Sequence, residues 1–139
     1  MTIQVDITSQ DRVVYSGAAD IVVVPGADGE MGILPNHSPL LSTLKFGIIK
    51  VRTKEDEKVF TVAGGIVEVL PDHVNILADA AENVDEIDTS RAEAARKKAE
   101  ELLAKAMPED TDTYLALQSA LRRSNLRLDA VKKFKKDKH

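Results

Sequence analysis

Cysteine is absent from the 139 residues, and so is tryptophan. The first absence excludes disulfides, thiolate zinc sites, iron–sulfur clusters and a cysteine nucleophile, and it suits a reducing compartment. Aromatic residues make up only 4% of the chain, so stacking on bases or sugar rings has little to work with. No apolar run approaches the length needed to span a bilayer. The start, Met1-Thr2-Ile3-Gln4-Val5-Asp6-Ile7, has neither a basic opening nor an apolar core, so no signal peptide is expected. Neither G-x-x-x-x-G-K-[ST] nor G-x-G-x-x-G occurs. His37, His73 and His139 lack metal-ligand spacing, and Ser90 and Ser124 have no base near them in sequence. The expectation is a chain with no catalytic residues, no metal ligands and no catalytic activity of its own.

What remains is 43% hydrophobic and 30% charged, the composition of a soluble, folded chain of one ordinary domain or a small domain with an appendage. The net charge of −4 hides an asymmetry. Residues 1–84 carry twelve Asp/Glu against six Lys/Arg, and residues 85–139 carry eleven against thirteen. From Leu117 onward eight residues are basic and two acidic. A basic tail on an acidic chain predicts an acidic partner for the tail, with a solvated basic face as the alternative. The overall sign argues against nucleic acid.

Residues 1–84 read as β-structure broken by turns every 8–12 residues. Ile3, Val5 and Ile7 alternate with polar neighbours, the period of a half-buried strand. Ser9–Arg12 reads as a turn, Val13-Val14-Tyr15 as a strand broken by Gly17, and Ile21–Val24 as a strand stopped by Pro25-Gly26. Asp28-Gly29 supplies a tight hairpin. Pro35-Asn36-His37-Ser38-Pro39 holds two prolines in five residues and predicts a rigid exposed loop, with His37 placed to meet solvent or a partner. Leu40–Leu44, Phe46–Thr53, Lys58–Val62, Ile66–Leu70 and Val74–Leu77 read as further strands, with a bulge or bend at Gly64-Gly65. Many short strands without a helix between them predict an antiparallel sandwich or barrel.

At Ile87-Asp88-Thr89-Ser90-Arg91-Ala92 the period changes. Ala92, Ala95, Ala99, Leu102, Leu103 and Ala106 mark one face of a helix, capped by Asp88 or by a Ser90/Glu93 capping box, with Asp88 preferred. Met107-Pro108-Glu109-Asp110 ends it, and Thr111, Asp112 or Thr113 caps a second helix. There Tyr114, Leu117, Leu121, Ser124, Leu128 and Val131 form a narrow seam suited to one partner helix. The short connection predicts antiparallel neighbours. The fold class is therefore α+β: a β-sandwich over 1–84, then a two-helix hairpin over 85–139.

Two basic pairs fall on helix faces. Arg91 and Lys98 are seven apart, and Arg123 and Arg127 are four apart. An antiparallel hairpin could bring both pairs to one surface and make a polyphosphate site, with Glu82 and Asp88 accepting from an adenine amino group or positioning an arginine. Spacing alone equally fits ordinary surface charges.

Gly29-Glu30-Met31-Gly32-Ile33-Leu34-Pro35-Asn36-His37-Ser38-Pro39-Leu40, Ala63–Val69, His73–Ala78, Ala81-Glu82 and the Ile87–Ala92 motif, in this order, resemble the epsilon subunit of the bacterial F-type ATP synthase. The resemblance implies a sandwich of about ten short strands and a mobile helical hairpin. It implies a rotor subunit that couples proton or sodium flow to ATP synthesis and restrains ATP hydrolysis. Its partners would be the gamma subunit, the c-subunit ring and, in an extended hairpin state, the alpha and beta subunits. Its place would be the cytoplasmic face of the cell membrane, peripheral and held through the complex. It further implies ATP as a regulatory ligand rather than a cofactor, on Glu82, Ile87, Asp88, Arg91, Ala92, Lys98, Arg123 and Arg127. Lys98 stands where an arginine is expected, keeping the charge without the bidentate fork. Asn36 stands where the family loop often has glycine, and asparagine tolerates positive φ. A free-standing nucleotide-sensing adaptor with the same two parts is the alternative function.

Overall fold

The computed structural model describes residues 1–107 and 109–135 and divides the chain into two compact units, Met1–Val84 and Asp85–His139. Pro108 and the basic stretch from Lys136 to His139 lie outside the described residues.

The first unit is built on one long hairpin. β5 (Leu40–Arg52) and β6 (Glu57–Leu70) pair in constant register from Leu40↔Val69 to Arg52↔Glu57. The charged run between them closes as a turn, with Thr53 N–H donating to the Asp56 carbonyl at 2.8 Å and Arg52 paired with Glu57 at 2.7 Å. The two halves of this hairpin belong to different neighbours. One end of β6 carries β8 (Ala81–Asn83), while its other end carries β7 (His73–Ala78), then β1 (Ile3–Thr8) and β2 (Val13–Ala19). β5 carries β3 (Ile21–Gly26) and β4 (Gly29–Ile33). The sheet folds over at the middle of β6, because Ile3, Val5 and Ile7 from one end share a core with Val22, Val24, Ile49 and Val51 from the other. The tilted pair Tyr15–Phe60, centroids 5.5 Å apart, joins β2 to β6 within that core.

The described strands number eight, against about ten expected. The difference is continuity. Leu40–Leu44 and Phe46–Thr53 form one strand, as do Lys58–Val62 and Ile66–Leu70, because Gly64 (φ +89°) and Gly65 (φ +141°) bend β6 without breaking the ladder. A side chain at Gly65 would strike the Leu77 carbonyl oxygen and stand 2.8 Å from Ala78 Cα. Two other expectations are corrected. Gly17 does not end β2; it leaves room for Tyr15, whose hydroxyl oxygen would lie 2.6 Å from a Cβ there. β3 does not stop at Val24 either: it runs on through Pro25 and ends at Gly26. Proline is tolerated because the pairing with β5 shifts register between Val23 and Gly26. The loop between the two prolines forms as expected, and Asn36 adopts φ 67°.

The outward face of β1, β2 and β7 carries a polar cluster that spacing did not reveal. Ser16 Oγ and Gln4 Nε2 donate to Asp6 Oδ1, and the buried His73 Nε2 faces Asp6 Oδ2 at 2.6 Å. The Ser16 hydroxyl, aided by His73 and Gln4 and opposed by burial, holds the Asp6 carboxyl below its ordinary value.

The second unit opens with a 3-10 turn (Val84–Glu86) and holds α1 (Thr89–Lys105) and α2 (Thr111–Phe134), packed on one another. Asp88 caps α1, accepting from Arg91 N–H at 3.2 Å. The α2 cap is Asp110, accepting from Thr113 N–H at 3.3 Å, rather than Thr111, Asp112 or Thr113. Its carboxylate reaches the same orphan amides from one residue earlier. Ala92 and Ala99 are buried as expected, whereas Ala95 and Leu102 stay exposed. The whole α2 seam is buried or half-buried.

Two measurements test this description. Gly65→Ala should destabilise the chain in urea by more than Gly29→Ala, by roughly 1–3 kcal/mol. Both glycines have φ near +140°, but nothing lies within 4 Å of a Cβ at Gly29. Asp6 should shape the acid limb of stability. Its folded pKa is lowered, so its contribution is complete above the unfolded value of about 3.9 and lost as pH falls through the folded one. Asp6→Asn should therefore flatten the fall in stability below about pH 4, followed by urea melts at several pH values. An unchanged acid limb would refute it.

Candidate functional site

The start of α1 and the end of α2 make the site. Ile87 is 1% exposed, and its carbonyl accepts from Lys135 Nζ at 2.8 Å. The C-terminal end of α2 is thereby tied to the N-terminal side of α1, which makes the helices antiparallel. Counting from that contact, Arg91 and Lys98 lie four and eleven residues along α1, and Arg127 and Arg123 lie eight and twelve residues back along α2. At about 1.5 Å per residue, Arg91 and Lys98 are roughly 10 Å apart along α1. Antiparallel packing puts both α2 arginines on the stretch of α2 that runs beside α1.

Each expected site residue has a definite place. Asp88 is brought to Arg91 through the cap, so part of its accepting capacity is used on the backbone. Arg91 and Lys98 extend from exposed positions, while Ala92 between them is fully buried. Arg123 is exposed and donates to Ser119 Oγ at 3.0 Å. Arg127 is half-buried, with its Nε shielded from solvent. Glu82 lies on β8 opposite Thr61, in the first unit. Four basic side chains on one hairpin give it a run of positive charge, and on α1 Arg96 pairs with Glu100 at 2.9 Å. Such an arrangement can take a polyphosphate through charge-assisted hydrogen bonds. Among the described residues no group of three His, Asp or Glu side chains could hold a metal ion, and no helix is long and apolar enough to cross a membrane.

Lys135 was missed in the sequence because it sits in a lysine run, where nothing distinguishes it from its neighbours. A second surface was missed as well. On the outward face of β5, β6 and β7, Leu41 (70% exposed), Ile66 (44%), Leu70 (37%) and Leu77 (59%) alternate with fully buried Val67, Val69, Val74 and Ile76. Ile66 pairs with Leu77, and Leu41 pairs with Glu68, which accepts from Asn75 Nδ2 at 3.2 Å. The signal was available: in Ile66–Leu70 four of five residues are apolar, so both faces of the strand carry apolar side chains. Exposed apolar residues grouped on one face mark an interaction surface.

Two family models match the chain end to end. "ATP synthase, Delta/Epsilon chain, beta-sandwich domain" covers residues 2–84, and "ATP synthase, Delta/Epsilon chain, long alpha-helix domain" covers residues 85–132. The chain belongs to the ATP synthase delta/epsilon family. The ATP synthase epsilon chain of Syntrophobacter fumaroxidans is 44% identical over 131 residues, covering 94% of this chain and 96% of that one. The epsilon chain of Bordetella avium is 45% identical over 121 residues, covering 86% and 84%. Among solved structures, a chain of the Euglena gracilis mitochondrial ATP synthase OSCP/F1/c-ring complex matches with TM-score 0.75. It is 23% identical, with 94% of this chain and 81% of that chain covered. A chain of the Tetrahymena thermophila central stalk and c-ring matches at TM-score 0.56 and 16% identity, covering 94% and 97%. At these identities the structural matches establish the shared fold. For this delta/epsilon family member the fold class read from the sequence is the observed one.

The cap at the family motif is testable without any ligand. Asp88→Ala should lower hairpin stability by about 1 kcal/mol and raise amide exchange in the first turn of α1. Unchanged exchange at Arg91 would remove Asp88 from that role.

Proposed function

We propose that this chain is a central-stalk subunit of a proton- or sodium-translocating F-type ATP synthase. The observation that carries this reading is the match of both units, in order, to the two domains of one ATP synthase chain family. The sandwich unit serves as the rotor-binding domain and the hairpin as the regulatory domain. The outward apolar face of Leu41, Ile66, Leu70 and Leu77 supports docking on the rotor, through the gamma subunit and the ring of c subunits. The chain works without catalytic residues of its own, peripheral at the cytoplasmic face of the membrane, and is held there through the complex.

The hairpin restrains ATP hydrolysis by moving between a compact and an extended form. In the extended form its basic α2 meets acidic surfaces of the alpha and beta subunits. In the compact form Arg91, Lys98, Arg123 and Arg127 take the phosphates of ATP, and Asp88 serves the adenine end, with Ile87 and Ala92 framing the pocket. The antiparallel packing and the exposed Arg91, Lys98 and Arg123 support this reading. A ligand that binds only the compact form shifts the equilibrium toward it by its differential affinity. An α1 face built largely of alanine buries little area at about 25 cal/mol per Å2, so the hairpin lies close to the balance point such regulation needs.

The protein should co-purify with the gamma subunit and c ring, and Leu41→Glu with Leu77→Glu should weaken that capture without unfolding the chain. Failure of the wild type to capture either would overturn the rotor reading in favour of a free-standing nucleotide-sensing adaptor. Calorimetric titration with ATP should give a binding isotherm. Arg91→Ala and Arg127→Ala should each weaken affinity by about tenfold or more, the scale of one lost charge-assisted hydrogen bond. No heat in the wild type, or unchanged affinity in both variants, would refute the nucleotide site.

A further inference from the structure

The bond from Lys135 to Ile87 joins residues 48 apart in sequence, across the open end of the hairpin. Ile87 immediately precedes the α1 cap and is 1% exposed, so its carbonyl is shielded from water and needs a donor from the protein. That donor is an ammonium group on the residue that ends α2. Lys135 also closes its own helix, its N–H donating to the Val131 carbonyl at 3.1 Å. One residue thus terminates α2 and fixes the backbone from which α1 begins. The next carbonyl along, that of Asp88, accepts the Ala92 N–H at 3.0 Å, and the Asp88 side chain accepts from Arg91. The orientation of the peptide on which Asp88 and Arg91 depend is therefore set from the far end of the other helix.

We infer that Lys135 is a clasp: a positioning residue that holds the hairpin closed and, through the Ile87 carbonyl, presents Asp88 and Arg91 to the nucleotide. The second part rests on the ATP-binding reading; the first stands without it. A lysine at this position also faces the negative end of the α2 dipole. A dipole role alone would act on the last turn of α2 and leave residues 87–92 untouched, and that difference separates the two.

The test uses the full chain as wild type, Lys135→Met, which keeps the aliphatic stem and removes the donor, and Lys135→Arg, which keeps a cationic donor. Amide exchange without nucleotide should rise several-fold at residues 87–92 in Lys135→Met. It should stay near wild type in Lys135→Arg, with helix content by circular dichroism the same in all three. ATP affinity should fall by about tenfold in Lys135→Met and recover in Lys135→Arg. Exchange at 87–92 unchanged by Lys135→Met, or raised only at the end of α2, overturns the clasp. Raised exchange with unaltered ATP affinity overturns its link to the nucleotide. Raised exchange in a chain whose wild type binds no ATP supports the clasp and removes the nucleotide reading alone.

Discussion

The bend at Gly64-Gly65 is the constraint on which the first unit depends. Strands of 13 and 14 residues are too long to lie in one layer of so small a unit. They serve two layers because the chain can turn where Leu77's carbonyl and Ala78 press against the backbone. Only glycine fits that approach, and only glycine adopts these φ angles without strain. The single core that results draws on both ends of the sheet, from Ile3 on β1 to Val51 on β5. The bend also sets which side chains of β6 face outward. Past it, Val67 and Val69 turn inward while Ile66, Glu68 and Leu70 turn out, so the exposed apolar face is a consequence of the same geometry.

Much of this was legible because it follows from period. Alternation over Ile3–Ile7, the turn pairs, the two-proline loop and the switch to helical spacing near Ile87 each reflect a local rule, and each element formed. Strand continuity was not legible. Glycine pairs and Pro-Gly read as stops when only neighbours are considered, yet Pro25 persists in β3 by virtue of a register shift that belongs to β5. The same limit applied to helix caps. Asp88 caps α1 as expected, whereas Asp110, one residue before Thr111, caps α2. Boundaries depend on which amides are left over, a property of the folded turn.

The candidate site divides along the same line. Sequence spacing gave the heights of Arg91 and Lys98 on one helix and of Arg123 and Arg127 on the other. The short connection predicts the antiparallel direction, but the tie between the two ends is one tertiary hydrogen bond from a lysine indistinguishable from its neighbours. Nor could spacing find the Asp6 cluster, whose members come from β1, β2 and β7: Ser16 meets Asp6 through an antiparallel pairing and His73 through a parallel one. Long-range polar contacts leave no periodic trace.

These facts bear on the regulatory role proposed for the hairpin. A tightly packed pair of helices would hold one form whatever the ligand. A pair with no tertiary bond at its open end would fray. The α1 face of small residues with Leu102 left exposed places the pairing near the weak limit, since little apolar area opposes separation. Like charges on α2 add a small repulsion of a few tenths of a kcal/mol per pair. A polyanion would remove that repulsion, and a bond at the open end lets its effect reach both termini of the hairpin at once. On this account the basic residues, the alanines and the terminal lysine form one device. Under the proposed function the charges would supply the sensitivity, the alanines would keep the stability low enough to be shifted, and the lysine would make closure a single event rather than a gradual zipping.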